Sequence, residues 1–210
     1  MRSTDLQAIA AEKFRLVFNY GMKSIVMLFL TLLSASVVAD NPYAVESAIY
    51  KVVVPVGNST YLGTGVLLSP EKILTNCHIV QGKGGWPKVM QRKTGDWFRV
   101  TKYYQLGKLD ACVLVGGFEG RPVALSAKIV EGENIWLYGY PSEIPVIGQG
   151  AVLGYADGGK TLRLGAFCSG GSSGGPVLNA RGELIGLNFA VYRYQNSCLA
   201  IPVSELRPYL

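Results

Sequence analysis

The sequence predicts an all-β fold made of many short strands, arranged as a sandwich or a barrel. Turn-forming residues are abundant, with 26 glycines and 10 prolines in 210 residues. The apolar stretches between the turns are rich in Val, Ile, Thr and Tyr, which pack well on a pleated surface. These stretches recur every 8–12 residues or so, a spacing typical of sandwiches and barrels, and no stretch shows a sustained helical period.

The predicted strands form two sets, joined by a glycine-rich connector at 116–122. We expect strands at 49–54, 61–69, 72–75, 97–104 and 109–115 in the first set, and at 135–138, 146–153, 161–166, 176–179, 183–191 and 197–201 in the second. Tight turns are expected at 94–96 and 180–182, because Gly, Asn and Asp favour turn conformations. A short helix is expected after Pro202.

The N-terminal 39 residues have the pattern of a secretory leader. Met22 and Lys23 open it, an apolar run follows at 24–33, and small residues lead to a predicted cleavage site after Ala39. The apolar run is shorter than the roughly 20 residues of a comfortable membrane span, so a stable anchor in the mature chain is not expected. The sequence therefore predicts a secreted or periplasmic protein, with Met22 as a candidate natural start.

Composition excludes several classes of function. Hydrophobic residues make up 49% of the chain and charged residues 16%, which favours a folded core over disorder. The net charge is +6, but the basic residues are scattered, so no nucleic-acid surface is expected. One histidine and no C-x-x-C pair argue against a zinc site, and we predict no metal and no cofactor. The four cysteines are disulfide candidates in an exported chain, with three pairings open.

The segment Gly171-Ser172-Ser173-Gly174-Gly175-Pro176 is the strongest chemical motif. A serine hydroxyl needs a base to become a nucleophile, and the oxyanion that its attack creates needs preorganised N–H donors. Glycines beside the serine let the backbone turn two N–H groups toward one point. The expected donors are the N–H groups of Gly171 and Ser173. The motif alone is equally typical of a surface loop or of an α/β-hydrolase elbow.

The position of His78, the only histidine, decides between these hydrolase classes. It precedes Ser173, whereas α/β-hydrolases have the order serine, acid, histidine. The subtilisin order needs an upstream acid at a strand end, and none is convincing. The order that remains is histidine, aspartate, serine, with His78 as the general base for Ser173.

Asp110 and Asp96 both lie between His78 and Ser173 and compete for the third position. Asp96 falls in a predicted turn, where local hydrogen bonding explains an aspartate. Asp110 begins an apolar strand, where a carboxylate is costly unless it is partnered. We therefore predict that Asp110 orients His78.

At these segments the sequence resembles the trypsin-like, chymotrypsin-fold serine peptidases, and it is closest to the bacterial HtrA-like branch, although no PDZ module fits. The similar blocks lie at 64–69, 73–80, 109–114, 138–141, 148–154, 171–176 and 199–202. The resemblance implies two six-stranded antiparallel β-barrels with the active site in the cleft between them. It places a peptidase domain at 40–210, with the first barrel at about 45–118 and the second at about 122–205.

Several features depart from the family pattern. Cys77 and Cys112 stand beside His78 and Asp110, and Ser172 replaces the aspartate of activatable enzymes, so no trypsin-style zymogen switch is expected. The resemblance implies a Cys168–Cys198 disulfide next to the specificity pocket, which leaves Cys77–Cys112 as the second pair. It also implies a pocket without an acid, suited to small or medium apolar side chains and lined by Ala166, Phe167, Cys168, Phe189, Ala190 and Val191.

Together these features predict a secreted or periplasmic serine endopeptidase that cleaves protein or peptide substrates through an acyl-enzyme on Ser173. The alternative is a catalytically degenerate peptidase fold that acts as a binding or adhesion module. An esterase is disfavoured by the order of the three residues.

Overall fold

The structure, a computed structural model, describes residues 41–82, 84–192 and 197–210. The described strands close into two antiparallel β-barrels of six strands each. The prediction of an all-β fold with two six-stranded barrels is therefore confirmed. The predicted leader, with Met22 and the cleavage site after Ala39, lies outside the described residues. Within the described ranges, no helix is both long and apolar enough to cross a bilayer.

The first barrel follows the order β1-β2-β3-β6-β5-β4 around its wall. Its strands are β1 (Ile49–Val56), β2 (Ser59–Ser69), β3 (Lys72–Thr75), β4 (Lys88–Gln91), β5 (Trp97–Gln105) and β6 (Cys112–Gly116). A one-turn helix, α1 (Cys77–Val80), follows β3, and a 3₁₀ turn at Pro42–Ala48 precedes β1.

The second barrel follows the order β10-β11-β12-β9-β8-β7. Its strands are β7 (Asn134–Gly139), β8 (Val146–Ala156), β9 (Thr161–Leu164), β10 (Pro176–Asn179), β11 (Leu184–Tyr192) and β12 (Ser197–Pro202). The expected helix after Pro202 is α2 (Val203–Leu206). Further 3₁₀ turns lie at Pro141–Glu143, Asp157–Gly159 and Arg207–Tyr209.

The predicted strands differ from the observed ones in several places: β8 continues to Ala156 and β9 ends at Leu164, against predicted ends at 153 and 166. The first set lacked β4, a four-residue strand whose burial alternates over too few residues to give a clear signal. The strand expected from Leu109 begins instead at Cys112, because a loop closed by the hydrogen bond from Leu106 N–H to Ala111 O precedes it. Asp110 therefore lies in that loop and not in a buried strand.

The apolar core has two parts: one is centred on the first barrel and continues into the second through side chains such as Leu178 and Leu184, and the other lies within the second barrel. The first part is built on aliphatic side chains such as Ile49, Val52 and Leu74, and the second on Ile135, Leu162 and Val177, all with no exposed surface. Burying one such side chain stabilises the fold by about 1.5–3 kcal/mol, so strand registers that bury these positions are strongly favoured.

Residues from the first barrel also contact the second. Strand β1 is buried on both faces between Ile49 and Val54, and Lys51 reaches across to Glu143, with 2.8 Å between Nζ and Oε2. The guanidinium of Arg92 bonds Glu46 at 3.1 Å and lies 5.9 Å from the ring centre of Tyr140. Burial raises the pKa of Tyr140 to about 12, although the charge of Arg92 opposes the increase.

Candidate active site

Helix α1 carries His78 directly after the end of β3. Asn76 stands at the N-cap position of this turn without a side-chain cap bond, while Cys77, Ile79 and Val80 face the core. His78 is the one member of the turn that points outward, with 44% of its side chain exposed. The imidazole is thus attached to a turn whose other side chains are buried, and it remains accessible from solvent.

Asp110 holds His78 through both of its carboxylate oxygens. The distance between His78 Nδ1 and Asp110 Oδ2 is 2.6 Å, and the His78 backbone N–H donates to Oδ1 at 2.9 Å. The Asn76 side chain fixes the same loop by donating to Asp110 O at 2.7 Å. A neutral imidazole that donates its Nδ1 proton to a carboxylate presents Nε2 as an acceptor, the form that a general base requires.

Asp96, the competing aspartate, lies in the turn between β4 and β5. Its N–H bonds Thr94 Oγ1 at 3.2 Å, and its carbonyl accepts from Gln91 N–H at 2.9 Å. The structure thus brings Asp110 to the histidine and leaves Asp96 in the turn where the sequence placed it.

Two disulfides join the segments around the site. Cys77–Cys112 links α1 to β6 with 4.8 Å between the Cα atoms, so a covalent bond lies beside both His78 and Asp110. Cys168–Cys198 links the chain before Ser173 to β12, with 6.1 Å between the Cα atoms. These are the two pairs that the resemblance implied, and the described residues include no free cysteine.

Ser173 belongs to the loop 169–175 between β9 and β10, which we call the serine loop. This loop packs against the first barrel: Ser173 O accepts from Thr64 N–H at 2.8 Å, and Gly171 O accepts from Thr64 Oγ1 at 2.8 Å. A Cβ added to Gly63 would lie 2.9 Å from Ile79 Cγ1 and 3.1 Å from Ser173 O. The serine loop and the helix that carries His78 therefore meet at the same point of β2.

The N–H groups of the serine loop divide into two sets. Those of Ser172, Gly174 and Gly175 donate within the protein, to Ser169 O, Asn188 O and Ser172 O at 2.8–3.0 Å. Among the hydrogen bonds between described residues, none uses the N–H of Gly171 or Ser173. The two expected oxyanion donors are thus among the loop N–H groups that have no internal acceptor in the described part of the chain, and the N–H of Gly170 is a third.

Two side chains near the site were not foreseen from the sequence. Asn76 fixes the Asp110 loop, as described above, and Asn188 donates to Ser172 O at 2.9 Å from a position with 1% of its surface exposed. A buried asparagine within the apolar run of β11 is a weak signal that this side chain bonds the backbone. Its partner could not be inferred, because Ser172 lies on a different segment.

The six residues expected to line a pocket lie on two segments near Cys168–Cys198. Val191 pairs with Cys198 and Ala190 with Leu199 in the β11–β12 ladder, so the disulfide joins the segment 166–168 to the strand beside β11. Phe167 and Val191 are exposed by 59% and 41%, whereas Ala166 is buried. Among the described residues, no group of three His, Cys, Asp or Glu side chains could hold a metal ion.

Several solved structures share this fold. A protease from M. tuberculosis, in its active form, superposes with a TM-score of 0.71 at 20% identity, covering 81% of this chain and 83% of that chain. A serine endoprotease from Yersinia pestis gives a TM-score of 0.70 at 21% identity, covering 82% and 65%. At these identities the likeness establishes the fold alone.

Curated relatives include glutamyl endopeptidases of staphylococci. The protein from Staphylococcus epidermidis is 27% identical over 170 residues, which cover 70% of this chain and 59% of the relative. The protein from Staphylococcus aureus strain MRSA252 is 26% identical, covering 62% and 43%. The chain thus spans less than two thirds of the length of these relatives.

The comparison with protein-family models matches one family over the region that contains all the residues described above. The trypsin-like peptidase domain matches residues 63–187, a range that includes His78, Asp110 and Ser173. This match covers more than half of the 210-residue chain. The chain therefore belongs to the trypsin-like peptidase family.

Proposed function

We propose that the protein is a serine endopeptidase that cleaves peptide bonds through an acyl-enzyme on Ser173. The observation that carries this proposal is the paired His78 and Asp110, with 2.6 Å between Nδ1 and Oδ2, on a helix that meets the serine loop. Membership of the trypsin-like peptidase family supports the same chemistry.

In the first half-reaction, Ser173 Oγ attacks the carbonyl carbon of the scissile bond while His78 Nε2 takes its proton. The Asp110 carboxylate stabilises the imidazolium that forms and keeps its ring oriented. The negative oxygen of the tetrahedral intermediate accepts hydrogen bonds from the N–H groups of Gly171 and Ser173. His78 then gives its proton to the leaving amine, and the acyl group stays on Ser173.

In the second half-reaction, water takes the place of the amine. His78 accepts a proton from the water as its oxygen attacks the acyl carbon, and the same two N–H groups hold the new oxyanion. Collapse of this intermediate releases the acid and returns the proton to Ser173 Oγ. The second half-reaction restores the free enzyme. The scheme uses neither a metal nor an organic cofactor.

We further propose that the enzyme prefers small or medium apolar side chains at P1, the residue before the scissile bond. The six expected pocket residues, Ala166, Phe167, Cys168, Phe189, Ala190 and Val191, are all uncharged. The curated relatives are named glutamyl endopeptidases, so glutamate is the competing preference. A peptide library that varies P1 decides between them: preferred cleavage after Ala or Val supports the apolar pocket, and preferred cleavage after Glu overturns it.

We also propose export, followed by cleavage after Ala39. The leader pattern and two disulfides near the site support this, because disulfides persist in oxidising compartments and are rare in the cytosol. N-terminal sequencing of the mature protein is expected to begin at Asp40. A mature chain that still contains residues 24–33 would contradict cleavage.

Hydrolysis of casein by the wild type and by Ser173→Ala tests the proposed activity. We expect the wild type to digest casein and the variant to lose nearly all of that activity, since loss of the nucleophile leaves only binding and oxyanion stabilisation. Equal hydrolysis by both proteins would refute the proposed mechanism. A wild type that binds casein without cutting it would support the degenerate binding module instead.

A further inference from the structure

The carbonyl of Gly171 is held by one donor from each barrel. Thr64 Oγ1, on β2 of the first barrel, donates to Gly171 O at 2.8 Å. The N–H of Tyr140, directly after β7 of the second barrel, donates to the same oxygen at 3.3 Å. Since a peptide group is planar, fixing this carbonyl also fixes the N–H of Ser172 on its opposite side, and that N–H donates to Ser169 O at 2.9 Å.

Thr64 contacts the segments of both reactive residues at once. Its N–H donates to Ser173 O at 2.8 Å, and its own carbonyl accepts from Thr75 Oγ1 at 2.6 Å, three residues before His78. Thr64 and Thr75 have no exposed surface. A buried hydroxyl with a single geometry restrains its acceptor more firmly than an exposed one, because no water competes for the bond.

The flanking glycines let the serine loop come this close to β2. A Cβ at Gly63 would lie 3.1 Å from Ser173 O, and a Cβ at Gly174 would lie 2.2 Å from Thr64 O. Thr64 is therefore the one side chain of the Gly63–Gly65 stretch, and its hydroxyl points at the peptide next to the expected oxyanion donors. Glycine has many accessible conformations, so the two bonds to Gly171 O restrict a backbone that would otherwise move freely from its φ of +98°.

We propose that Thr64 is a positioning residue that holds the serine loop in the orientation where the Gly171 and Ser173 N–H groups face the reacting carbonyl. This inference rests on the proposed endopeptidase function and deepens it. Thr64 acts through Gly171 and touches no reacting atom. It makes the oxyanion site dependent on contact between the two barrels, because the hydroxyl comes from one barrel and the loop from the other.

The test replaces the Thr64 hydroxyl without changing the size of the side chain. Thr64→Val removes the bond to Gly171 O, and Thr64→Ser keeps it. Thr101→Val is the matched control, because Thr101 Oγ1 also bonds a backbone carbonyl, that of Val115 at 3.0 Å, on the exposed face of β5 in the same barrel. All three are compared with the wild type on a peptide substrate, at temperatures below each measured unfolding midpoint.

Loss of one oxyanion donor typically lowers kcat by about 10²–10³-fold, so misorientation of the loop is expected to lower it by roughly 10–100-fold in Thr64→Val. KM should stay within about twofold, since the ground-state carbonyl gains little from the oxyanion donors. A peptide aldehyde, which mimics the tetrahedral intermediate, should lose affinity in parallel with kcat. Thr64→Ser should recover most of kcat, and Thr101→Val should match the wild type.

The proposal is wrong if folded Thr64→Val keeps kcat within twofold of the wild type, or if its KM rises while kcat is unchanged. Should Thr64→Val fail to fold, Thr64→Ala with the same readouts replaces it, and unchanged kcat there also overturns the proposal. If the wild type itself hydrolyses no substrate, the endopeptidase function is refuted, and the positioning role of Thr64 is refuted with it. An active wild type with an equally active Thr64→Val refutes only the positioning role.

Discussion

At the scale of single residues, the orientation of His78 depends on one carboxylate with two separate bonds. Oδ2 of Asp110 bonds Nδ1 of the imidazole, and Oδ1 accepts a hydrogen bond from the backbone N–H of His78. Rotation of the carboxylate would therefore break both bonds. The Asp110 side chain is 34% exposed, which is more than its predicted place in a buried strand implied. The role proposed for Asp110 therefore rests on this pairing and not on burial.

Substitution of the two candidate aspartates tests this role. Asp110→Asn is expected to lower kcat by roughly 10³–10⁴-fold, because an amide can hold the imidazole in the wrong tautomer. Asp96→Asn is the matched control, and its kcat should be close to the wild-type value, since the bonds of Asp96 among the described residues are to Thr94 and Gln91 in its own turn. Steady-state kinetics on one peptide substrate measure both, and an equal loss in the two variants would contradict the assignment of Asp110.

Neighbouring glycines of the serine loop have very different surroundings. Gly171 has a φ of +98°, and a Cβ there would overlap Tyr140 O, whereas a Cβ at Gly170 would meet nothing within 4 Å. We therefore expect Gly171→Ala to displace the loop and lower kcat by at least about tenfold, while Gly170→Ala stays near the wild type. Kinetics combined with unfolding midpoints check this pair, and a Gly170→Ala variant that is as impaired as Gly171→Ala would contradict it.

At the scale of elements, the turn between β10 and β11 is stabilised by the charge on Glu183. Its Oε2 accepts from Arg181 Nη2 at 2.7 Å and from Asn179 Nδ2 at 2.9 Å. These bonds, the one from Arg181 first, lower the pKa of Glu183 to about 2 from an ordinary value of 4.5. Because the folded pKa is the lower one, the stabilisation is complete above about pH 4.5 and is lost as the pH falls toward 2.

Glu183→Gln is therefore expected to destabilise the protein at neutral pH, and this destabilisation should become smaller as the pH falls. The measurement is the unfolding midpoint of the wild type and the variant at pH 7, 4 and about 2.5, with the difference shrinking across the series. Glu131→Gln, at an exposed acid near the start of β7, serves as the control. If the unfolding midpoints of the wild type and Glu183→Gln differ by the same amount at every pH, the charge of Glu183 does not stabilise the turn.

Removal of either disulfide should lower stability by a similar amount but should affect different kinetic constants. Their sequence separations are similar, 35 and 30 residues, so removal of either by paired alanine substitution should lower the free energy of unfolding by about 2–4 kcal/mol. Only Cys77–Cys112 lies beside His78 and Asp110. We expect Cys77→Ala/Cys112→Ala to lower kcat, and Cys168→Ala/Cys198→Ala to act mainly on KM through the proposed pocket. Denaturant unfolding and kinetics check both, and the reverse pattern of kcat and KM would contradict the account.

At the scale of the whole molecule, the proposed site exists only where the barrels meet. His78 and Asp110 come from the first barrel, Ser173 from the second, and Thr64 bonds the serine loop across the junction. Away from the site, the Lys51–Glu143 pair and the stack of Arg92 on Tyr140 also connect the barrels. Displacement of one barrel relative to the other would therefore alter the proposed site.

Local features of the fold could be read from the sequence, whereas contacts between distant segments could not. The strands Lys72–Thr75 and Pro176–Asn179 were predicted with their observed ends, because turn residues flank short apolar runs there. Asp110 was preferred to Asp96 because a strand was expected to bury it, whereas the structure places it in a loop, paired with His78 and partly exposed. The bond from Thr64 to Gly171 joins residues 107 apart and depends on how the barrels pack, so no local pattern predicts it.

The central claim is that Ser173 is a nucleophile activated by His78. The most direct measurement is mass-spectrometric mapping of the residue that a fluorophosphonate modifies in the mature protein, with His78→Ala and Ser173→Ala as controls. The account predicts a single adduct on Ser173 in the wild type, and none at that position in either variant, because an unactivated serine hydroxyl reacts too slowly. An unmodified Ser173 in a protein that hydrolyses casein, or an adduct of equal yield in His78→Ala, would contradict it.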